Sequence, residues 1–384
     1  MRTKHEDEHR NAVLPEGAGQ WEAGREGRGA PGPGAPHCPD LPRPAPTAGP
    51  HRRPVTEPSP PTLLLTMDLG VRLSRSLLLA AAGSETLNAV ATRSRVVRRA
   101  TRAFMPGERA EDALEAGAAL AADGRSLIFT RLGEALTSLD EAEAVRDHYL
   151  RFLDAAAARG LPSRISVKPT QLGLDQSPES CLRHAMDLAE KAETVDSGLW
   201  LDMEDSSYVD RTLELYEAVK TRHPRTGIAL QAYLHRTPDD LERLRPLRPA
   251  IRLVKGAYAE PPDVAFPRKA DTDAAFEALA GRMLGWAAEG RGGAPPGCLP
   301  VFGTHDLPLV RRLIGRAEAM GLEQGRYEFH MLYGIGMRQQ AKLRAEGHAV
   351  TTLISYGEAW YRWYMRRLAE RPANVGFLLR SMFG

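Results

Sequence analysis

Two adjacent arginines near the carboxyl end of the chain, Arg366 and Arg367, have the spacing that points most directly to chemistry. They lie in residues 359–371, a stretch of good helix formers that ends before a proline. At about 3.6 residues per turn, one broad helix face carries both guanidinium groups together with Trp363 and Glu370. Guanidinium groups match carboxylate geometry, and a hydrogen bond to a charged group contributes about 1.5–3 kcal/mol. We therefore expect a carboxylate-binding face; the alternative is a solvated amphipathic helix with an ordinary Arg366–Glu370 pair.

A second set of polar residues follows short apolar runs that we predict to be β-strands. The set comprises Lys168 after the second run, Asp202, Glu204 and Asp205 after the third, Gln231 after the fourth, Arg252, Lys255 and Tyr258 in or after the fifth, and Thr304, His305 and Asp306 after the sixth. Each has a simpler explanation, because a lysine extends along apolar surface to solvent, carboxylates cap helices, and a histidine is often satisfied within a core. Their occurrence at five strand ends favours a common site.

A metal centre is the first alternative for these residues. His305 and Asp306, with Asp202 and Glu204, offer nitrogen and oxygen ligands of the kind found in metal-dependent barrel hydrolases. However, neither the HxH nor the HExxH spacing occurs around these four residues. The same region also collects many cationic side chains: Lys168, Arg252, Lys255, Arg366 and Arg367. We therefore expect no metal, and an anionic substrate together with an anionic cofactor.

Eight strand candidates that alternate with helical patterns would position these side chains. The strand candidates are Ser126 to Thr130, Arg164 to Lys168, Gly198 to Met203, Gly227 to Ala232, Ile251 to Val254, Leu299 to Thr304, Tyr327 to Met331 and Val350 to Ile354. The helix candidates are Leu139 to Arg159, Ser180 to Glu193, Ser207 to Thr221, Pro238 to Leu244, Thr272 to Glu289, Pro308 to Met320 and Arg338 to Glu346. This alternation predicts an α/β fold, a (βα)8 barrel whose active site lies at the carboxyl ends of the strands. No GxGxxG motif follows the first strand, so the usual fingerprint of an open dinucleotide-binding sheet is missing.

Composition and charge limit the remaining possibilities. The chain has 51 Lys and Arg against 49 Asp and Glu, and this balance argues against nucleic acid as a partner. Its three cysteines are far apart and outside any CxxC spacing, which favours a reducing, cytoplasmic location. No apolar run approaches the roughly 20 residues of a membrane span, although a peripheral membrane contact stays open.

The chain divides by composition near Met67. Residues 1–66 are rich in Pro, Gly, Arg and His and have few large apolar side chains, so we expect a disordered tail. Helical spacing of apolar residues between Met67 and Gly124 predicts two or three helices before the first strand. Residues 67–384 would then form the barrel domain, with Met67 as a natural starting point.

Seven motifs, in order along the chain, resemble those of bacterial monofunctional proline dehydrogenases. They are ISVKPTQLG at 165–173, LDMED at 201–205, QAYL at 231–234, RLVKGAY at 252–258, GTHD at 303–306, LYGI at 332–335 and RRLAE at 366–370. The resemblance implies a distorted (βα)8 TIM-type barrel with N-terminal helices and a C-terminal helix over the active site. It also implies a non-covalent FAD and the oxidation of L-proline to Δ1-pyrroline-5-carboxylate.

The resemblance assigns a role to individual residues. Asp202 and Arg252 would be catalytic-site residues beside the flavin. The residues implied to bind the substrate are Lys168, Tyr258, Leu332, Arg366, Arg367 and Glu370, the last of which would orient one arginine. The residues implied to line FAD are Met203, Gln231, Arg252, Lys255, Gly256, Ala257, Thr304 and His305.

The implied partners are a quinone that accepts electrons and a separate pyrroline-5-carboxylate dehydrogenase, with the protein cytoplasmic or peripheral at the inner face of the membrane. Two residues depart from the family, since tyrosine is usual where this chain has Leu353 and Trp363. These departures leave hydroxyproline or another cyclic imino acid open as the substrate. Two further alternatives are another FAD barrel, such as a methylenetetrahydrofolate reductase, and an inactive barrel that serves as a binding module.

Overall fold

The computed structural model describes residues 101–133, 136–289, 297–361 and 363–365. Its strands are β1 (Ser126–Arg131), β2 (Ser163–Val167), β3 (Leu199–Leu201), β4 (Gly227–Gln231), β5 (Ala250–Val254), β6 (Leu299–Gly303), β7 (Glu328–Leu332) and β8 (Ala349–Tyr356). They form a closed barrel in chain order. The last strand pairs in parallel with the first, from Ser126 opposite Thr351 to Arg131 opposite Tyr356. The predicted eight-stranded barrel is confirmed.

Helices connect each pair of consecutive strands. The helices are α1 (Ala110–Ala121), which precedes β1, then α2 (Leu139–Ala158), α3 (Pro178–Thr194), α4 (Val209–Arg222), α5 (Thr237–Leu244), α6 (Lys269–Glu289), α7 (Leu307–Ala319) and α8 (Met337–Ala345). Serine side chains cap the amino-terminal ends of α2 and α3: Ser138 and Ser177 each accept a hydrogen bond from the backbone N–H three residues later, at 3.3 and 3.1 Å. All seven predicted connecting helices are present. Within the described ranges, no helix is long and apolar enough to cross a membrane.

The third strand is shorter than predicted. The expected run from Gly198 to Met203 reduces to Leu199–Leu201. The backbone N–H of Asp202 still donates to the Val167 carbonyl at 2.8 Å, but the chain then turns into a short 3-10 helix that Asp205 caps. The acidic residues after Leu201 leave the strand, and this places their side chains at the end of the barrel.

Alternate residues of each strand face opposite sides of the barrel wall. Residues such as Leu127, Phe129 and Ile165 belong to the main hydrophobic cluster, which also contains many helix residues. Ile128 and Trp200 belong instead to a small separate cluster with Val301, against which Leu353 packs. Because successive side chains of a strand point in opposite directions, this small cluster marks the barrel interior. The interior is otherwise rich in polar and charged side chains, listed by strand as Arg164, Ser166, Arg252, Glu328, His330 and Thr351.

A third hydrophobic cluster lies where the chain leaves β8. Residues 360, 361 and 363–365 are helical, as predicted, and the cluster contains Trp360, Tyr361 and Tyr364 with Trp363 packed against it. Leu132, just after β1, belongs to the same cluster. The beginning of the C-terminal helix is therefore anchored at the carboxyl-terminal side of the barrel. The rest of that predicted helix lies outside the described residues, as do the predicted tail and residues 67–100.

Candidate active site

Three strands, β2, β3 and β5, bring four polar side chains into one group across the barrel interior. Ser166 lies in β2 and Lys168 directly follows it, Asp202 follows β3, and Arg252 lies in β5. Arg252 donates from Nη2 to Asp202 Oδ1, and also to Ser166 Oγ at 3.0 Å. Ser166 Oγ in turn donates to Asp202 Oδ1 at 2.9 Å. Lys168 Nζ lies 3.8 Å from Asp202 Oδ2, so three residues predicted from separate strand ends do meet.

The charges of this group do not cancel. Two cations, Lys168 and Arg252, face one carboxylate, Asp202, which leaves a surplus of one positive charge. Arg252 is only 4% exposed, and its burial lowers the pKa of the guanidinium below the usual value while Asp202 opposes that shift. An arginine nevertheless stays protonated in proteins. Its Nη1 is buried and has no hydrogen-bond partner among the described residues, so the N–H groups of this nitrogen remain for a ligand.

Lys255, at the end of β5, lies in a different charge environment. Its Nζ donates to Asp273 Oδ1 at 2.6 Å and to Asp306 Oδ2 at 2.9 Å. Burial opposes the charge on Lys255, but the two carboxylates outweigh burial and raise its pKa. Asp306 also caps α7, because its Oδ1 accepts from the Leu309 N–H at 3.2 Å. Asp306 at the start of α7 and Asp273 in α6 together fix the position of Lys255.

The turn after β2 is fastened by residues at the end of β3 and β4. Glu204 accepts from Thr170 N at 3.1 Å and from Thr170 Oγ1 at 2.8 Å. Burial raises the pKa of the Glu204 carboxyl, and the nearby Lys168 opposes that shift. Gln231 Nε2 donates to the Glu204 carbonyl at 2.8 Å. Glu204 and Gln231 therefore hold the backbone that carries Lys168, and of the three acidic residues only Asp205 serves as a helix cap.

The segment after β5 depends on a glycine. Gly256 has φ +116°, and a Cβ at this position would lie 2.2 Å from Tyr233 Cδ1. The Tyr233 N–H donates to the Lys255 carbonyl at 3.0 Å, which keeps the two loops in contact. Only glycine accommodates both the backbone angle and the close approach. Ala257 and Tyr258 follow it as half-buried residues.

The remaining predicted residues lie at the ends of β6 and β7. The Leu332 N–H donates to His305 Nε2 at 2.9 Å, so this nitrogen carries no proton and the ring is the neutral Nδ1–H tautomer. Thr304 is buried, and its Oγ1 accepts from the Asp306 N–H at 3.2 Å. Met203 is buried in the main hydrophobic cluster. The predicted residues Arg366, Arg367 and Glu370 lie outside the described part of the chain.

Sequence reasoning missed three contributors to the site. Ser166 and Trp200 each stand two residues before a predicted site residue, Lys168 and Asp202, so the two-residue period of a strand places them on the same side. Trp200 has the Arg252 guanidinium 5.3 Å from its ring centroid. Asp273 lies within a helix and gave no sequence signal.

The site offers cationic donors to an anionic ligand. In the described ranges, no group of three or more His, Cys, Asp or Glu side chains is arranged to hold a metal. The buried, unpartnered Nη1 of Arg252 and the ammonium of Lys168 are donors that fit anionic groups. Such donors at the carboxyl ends of strands define a class, the barrel enzymes that act on small anionic substrates.

Comparison with known proteins identifies the family. The profile described as Proline dehydrogenase matches residues 113–380. Proline dehydrogenase 1 of Bacillus subtilis (strain 168) is 34% identical over 284 residues, which cover 73% of this chain and 90% of that protein. Proline dehydrogenase of Deinococcus radiodurans is also 34% identical over 284 residues, covering 73% of this chain and 88% of its own. The chain belongs to the proline dehydrogenase family, an oxidoreductase family that uses a flavin.

A solved structure supports the fold independently. Proline utilization A from Bdellovibrio bacteriovorus, inactivated by N-propargylglycine, superposes with a TM-score of 0.65 at 22% sequence identity. The match covers 78% of this chain and 35% of that protein, so this chain spans about a third of its length. At this identity the likeness concerns the barrel fold alone.

Proposed function

We propose that the chain oxidises L-proline to Δ1-pyrroline-5-carboxylate with FAD as its cofactor, and that residues 67–384 form the catalytic domain. The observation that carries this proposal is the group formed by Lys168 after β2, Asp202 after β3 and Arg252 within β5, in a chain of the proline dehydrogenase family. The group has a surplus positive charge for a carboxylate and a buried donor for a cofactor.

Lys168 is the described residue best suited to bind the substrate carboxylate. Its 3.8 Å distance from Asp202 is too long for a hydrogen bond, so the ammonium retains donors for a second carboxylate. Arg366 and Arg367 are proposed to complete the clamp, with Glu370 orienting one of them and with Tyr258 and Leu332 lining the pocket. Binding a ring at several points fixes which of its hydrogens is presented, which is an orientation effect.

A bound flavin supplies the acceptor for the hydride that leaves the ring carbon beside the amine nitrogen. The lone pair of the neutral amine forms the new carbon–nitrogen double bond as this hydride departs, and the resulting iminium releases its N–H proton to solvent to give the imine product. Arg252 stabilises the negative charge that accumulates on the acceptor, through its buried charge and its Nη1 donor. Asp202 and Ser166 hold Arg252 in position. The residues proposed to hold FAD are Met203, Gln231, Arg252, Lys255, Gly256, Ala257, Thr304 and His305.

The electrons are proposed to pass to a quinone, which requires a peripheral contact between this protein and a membrane from the cytoplasmic side. The product is proposed to pass to a separate pyrroline-5-carboxylate dehydrogenase. Turnover with a soluble quinone analogue, compared with turnover in quinone-containing vesicles, tests the acceptor directly.

The experiment that tests the proposed function is anaerobic titration of the purified full-length chain with L-proline, followed by visible absorbance. We expect flavin bands that bleach, and denaturation should release FAD. Lys168→Met should raise the proline concentration needed for half-bleaching by tenfold or more, equivalent to about 1.4 kcal/mol of lost binding. Lys191→Met is the matched control, because Lys191 pairs with Asp154 on the helical surface at 2.5 Å. A protein that cannot be loaded with flavin, or bands that proline leaves unchanged, would contradict the proposal.

Another cyclic imino acid is the second candidate substrate, and Leu353 favours it. This side chain belongs to β8, is half-buried, and packs against the interior cluster that contains Ile128 and Trp200. An apolar leucine there offers no hydroxyl group to the pocket. Bleaching by 4-hydroxyproline at lower concentration than by L-proline would preserve the chemistry and change the substrate.

A further inference from the structure

A second polar network occupies the barrel interior below the site. Arg164 donates two hydrogen bonds to the Glu328 carboxylate, at 2.7 and 3.2 Å. Thr351 Oγ1 accepts from Arg164 at 2.7 Å and lies 3.1 Å from Glu328. His330 Nε2 lies 3.2 Å from the same carboxylate. The predicted site uses none of these four residues.

Trp200 lies between this network and the site. Its ring centroid is 5.1 Å from that of His330, and the guanidinium carbon of Arg252 is 5.3 Å from the Trp200 ring. Trp200 is 2% exposed and stands two residues before Asp202, so both side chains belong to the same side of β3. The indole therefore contacts a residue of each network.

The guanidinium of Arg252 needs a second contact to fix its orientation, because both of its hydrogen bonds are donated by the same nitrogen, Nη2. Both bonds that the described residues offer its side chain start from Nη2, one to Ser166 and one to Asp202. The guanidinium is attached to its side chain at Nε and hydrogen-bonded at Nη2, so its plane can still tilt about the line through these two nitrogens. A ring contact at 5.3 Å restricts this tilt and is itself a favourable cation–π contact.

We propose that Trp200, supported by His330, is a positioning residue that fixes the Arg252 guanidinium and thereby aims its free Nη1 donor. The proposal rests on the proposed function for what Arg252 acts upon, but the ring contact exists without it. His330 suits this support because burial lowers its pKa to about 4, against the opposing effect of Glu328. Between Arg164 and Arg252, a neutral imidazole adds no further positive charge.

Trp200→Leu is the test, and Trp286→Leu is the matched control. Trp286 is also buried and also carries an arginine, Arg245, whose guanidinium carbon is 5.0 Å from its ring, but it lies on α6 outside the barrel. Both variants should lower the Tm. Only Trp200→Leu should slow proline-dependent flavin reduction, by about tenfold, and shift the flavin potential to more negative values. Trp200→Phe, which keeps a ring, should restore most of the rate.

A double-mutant cycle on Tm separates this inference from the proposed function. In a chain carrying Arg252→Met, Trp200→Leu should lower the Tm by less than it does in the unmodified chain. If proline fails to bleach the unmodified protein, the proposed function fails, while such non-additivity still supports the positioning role. Additive Tm losses, or a reduction rate equal to that of Trp286→Leu, would overturn it. If the leucine variant does not fold, Trp200→Met, which also removes the ring, completes the same cycle.

Discussion

Replacing Asp202 with asparagine tests the central charge arrangement most directly. The change removes the carboxylate that accepts from Arg252 and Ser166 and that lies near Lys168. Asparagine keeps the shape and one acceptor oxygen, but two cations then remain without a counter-charge from this position. Loss of one partner from a buried ion pair costs about 3–5 kcal/mol. The Asp202 side chain is 20% exposed, so we expect a loss near the lower end, about 3 kcal/mol.

Thermal unfolding measures this loss. At an unfolding entropy of about 2.1 cal/mol/K per residue, a domain of this size loses about 1.5 °C of Tm per kcal/mol, so Asp202→Asn should lower the Tm by about 4–5 °C. Asp154→Asn is the control, because Asp154 is 63% exposed in its pair with Lys191 and should cost less than about 1 kcal/mol. Flavin reduction by proline should also slow by about 100-fold, since Arg252 loses its fixed position. Equal Tm losses in the two variants would refute the reasoning, because they would show that Asp202 compensates no buried charge.

Three further predictions concern single positions. Leu353→Tyr should raise the ratio of kcat/KM for L-proline over that for 4-hydroxyproline, and an unchanged ratio would remove Leu353 from the pocket. Gly256→Ala should weaken flavin retention during gel filtration, because its Cβ would meet Tyr233 at 2.2 Å, and full retention would contradict that packing. His330 has a folded pKa of about 4, below its ordinary 6.5, so the unfolded chain binds the proton first. The neutral, buried His330 therefore contributes up to about 3 kcal/mol of stability, which is complete above pH 6.5 and is lost as the pH falls to 4. His330→Phe removes this dependence and should flatten a plot of Tm against pH between these values.

The barrel could be predicted because its sequence pattern is regular. Apolar strand runs alternate with helical patterns eight times, and the polar residues fall at the strand ends, where barrel sites form. The length of β3 could not be read in the same way. The strand ends at Leu201, and beyond it Asp202 is bonded to Arg252 in β5 and Glu204 to Thr170 in the turn after β2. A local sequence pattern does not show such distant partners.

The members of the site were predictable, whereas their pairings were not. Lys168, Asp202 and Arg252 were expected from separate strand ends, and the structure brings them together. From the sequence alone, Asp202 could be either a helix cap or a site residue, because both roles use the same carboxylate. The partner of Lys255 in α6, Asp273, is 18 residues away and follows no strand-end rule. The roles of Arg366 and Arg367 remain predictions, because both lie beyond the described residues.

The two cationic centres of the site differ in how freely they can bind an anion. The group of Lys168, Arg252 and Asp202 has more positive than negative charge, so a carboxylate completes it without displacing a partner. Lys255 is already hydrogen-bonded to both Asp273 and Asp306, so a phosphate that bound it would compete with two carboxylates. The phosphate and the two carboxylates would repel each other unless other donors also bound the phosphate. We therefore expect the substrate carboxylate at Lys168, with the buried Nη1 of Arg252 left to face the cofactor. We expect a cofactor phosphate near Lys255 to be held chiefly by neighbouring backbone and hydroxyl donors rather than by that lysine.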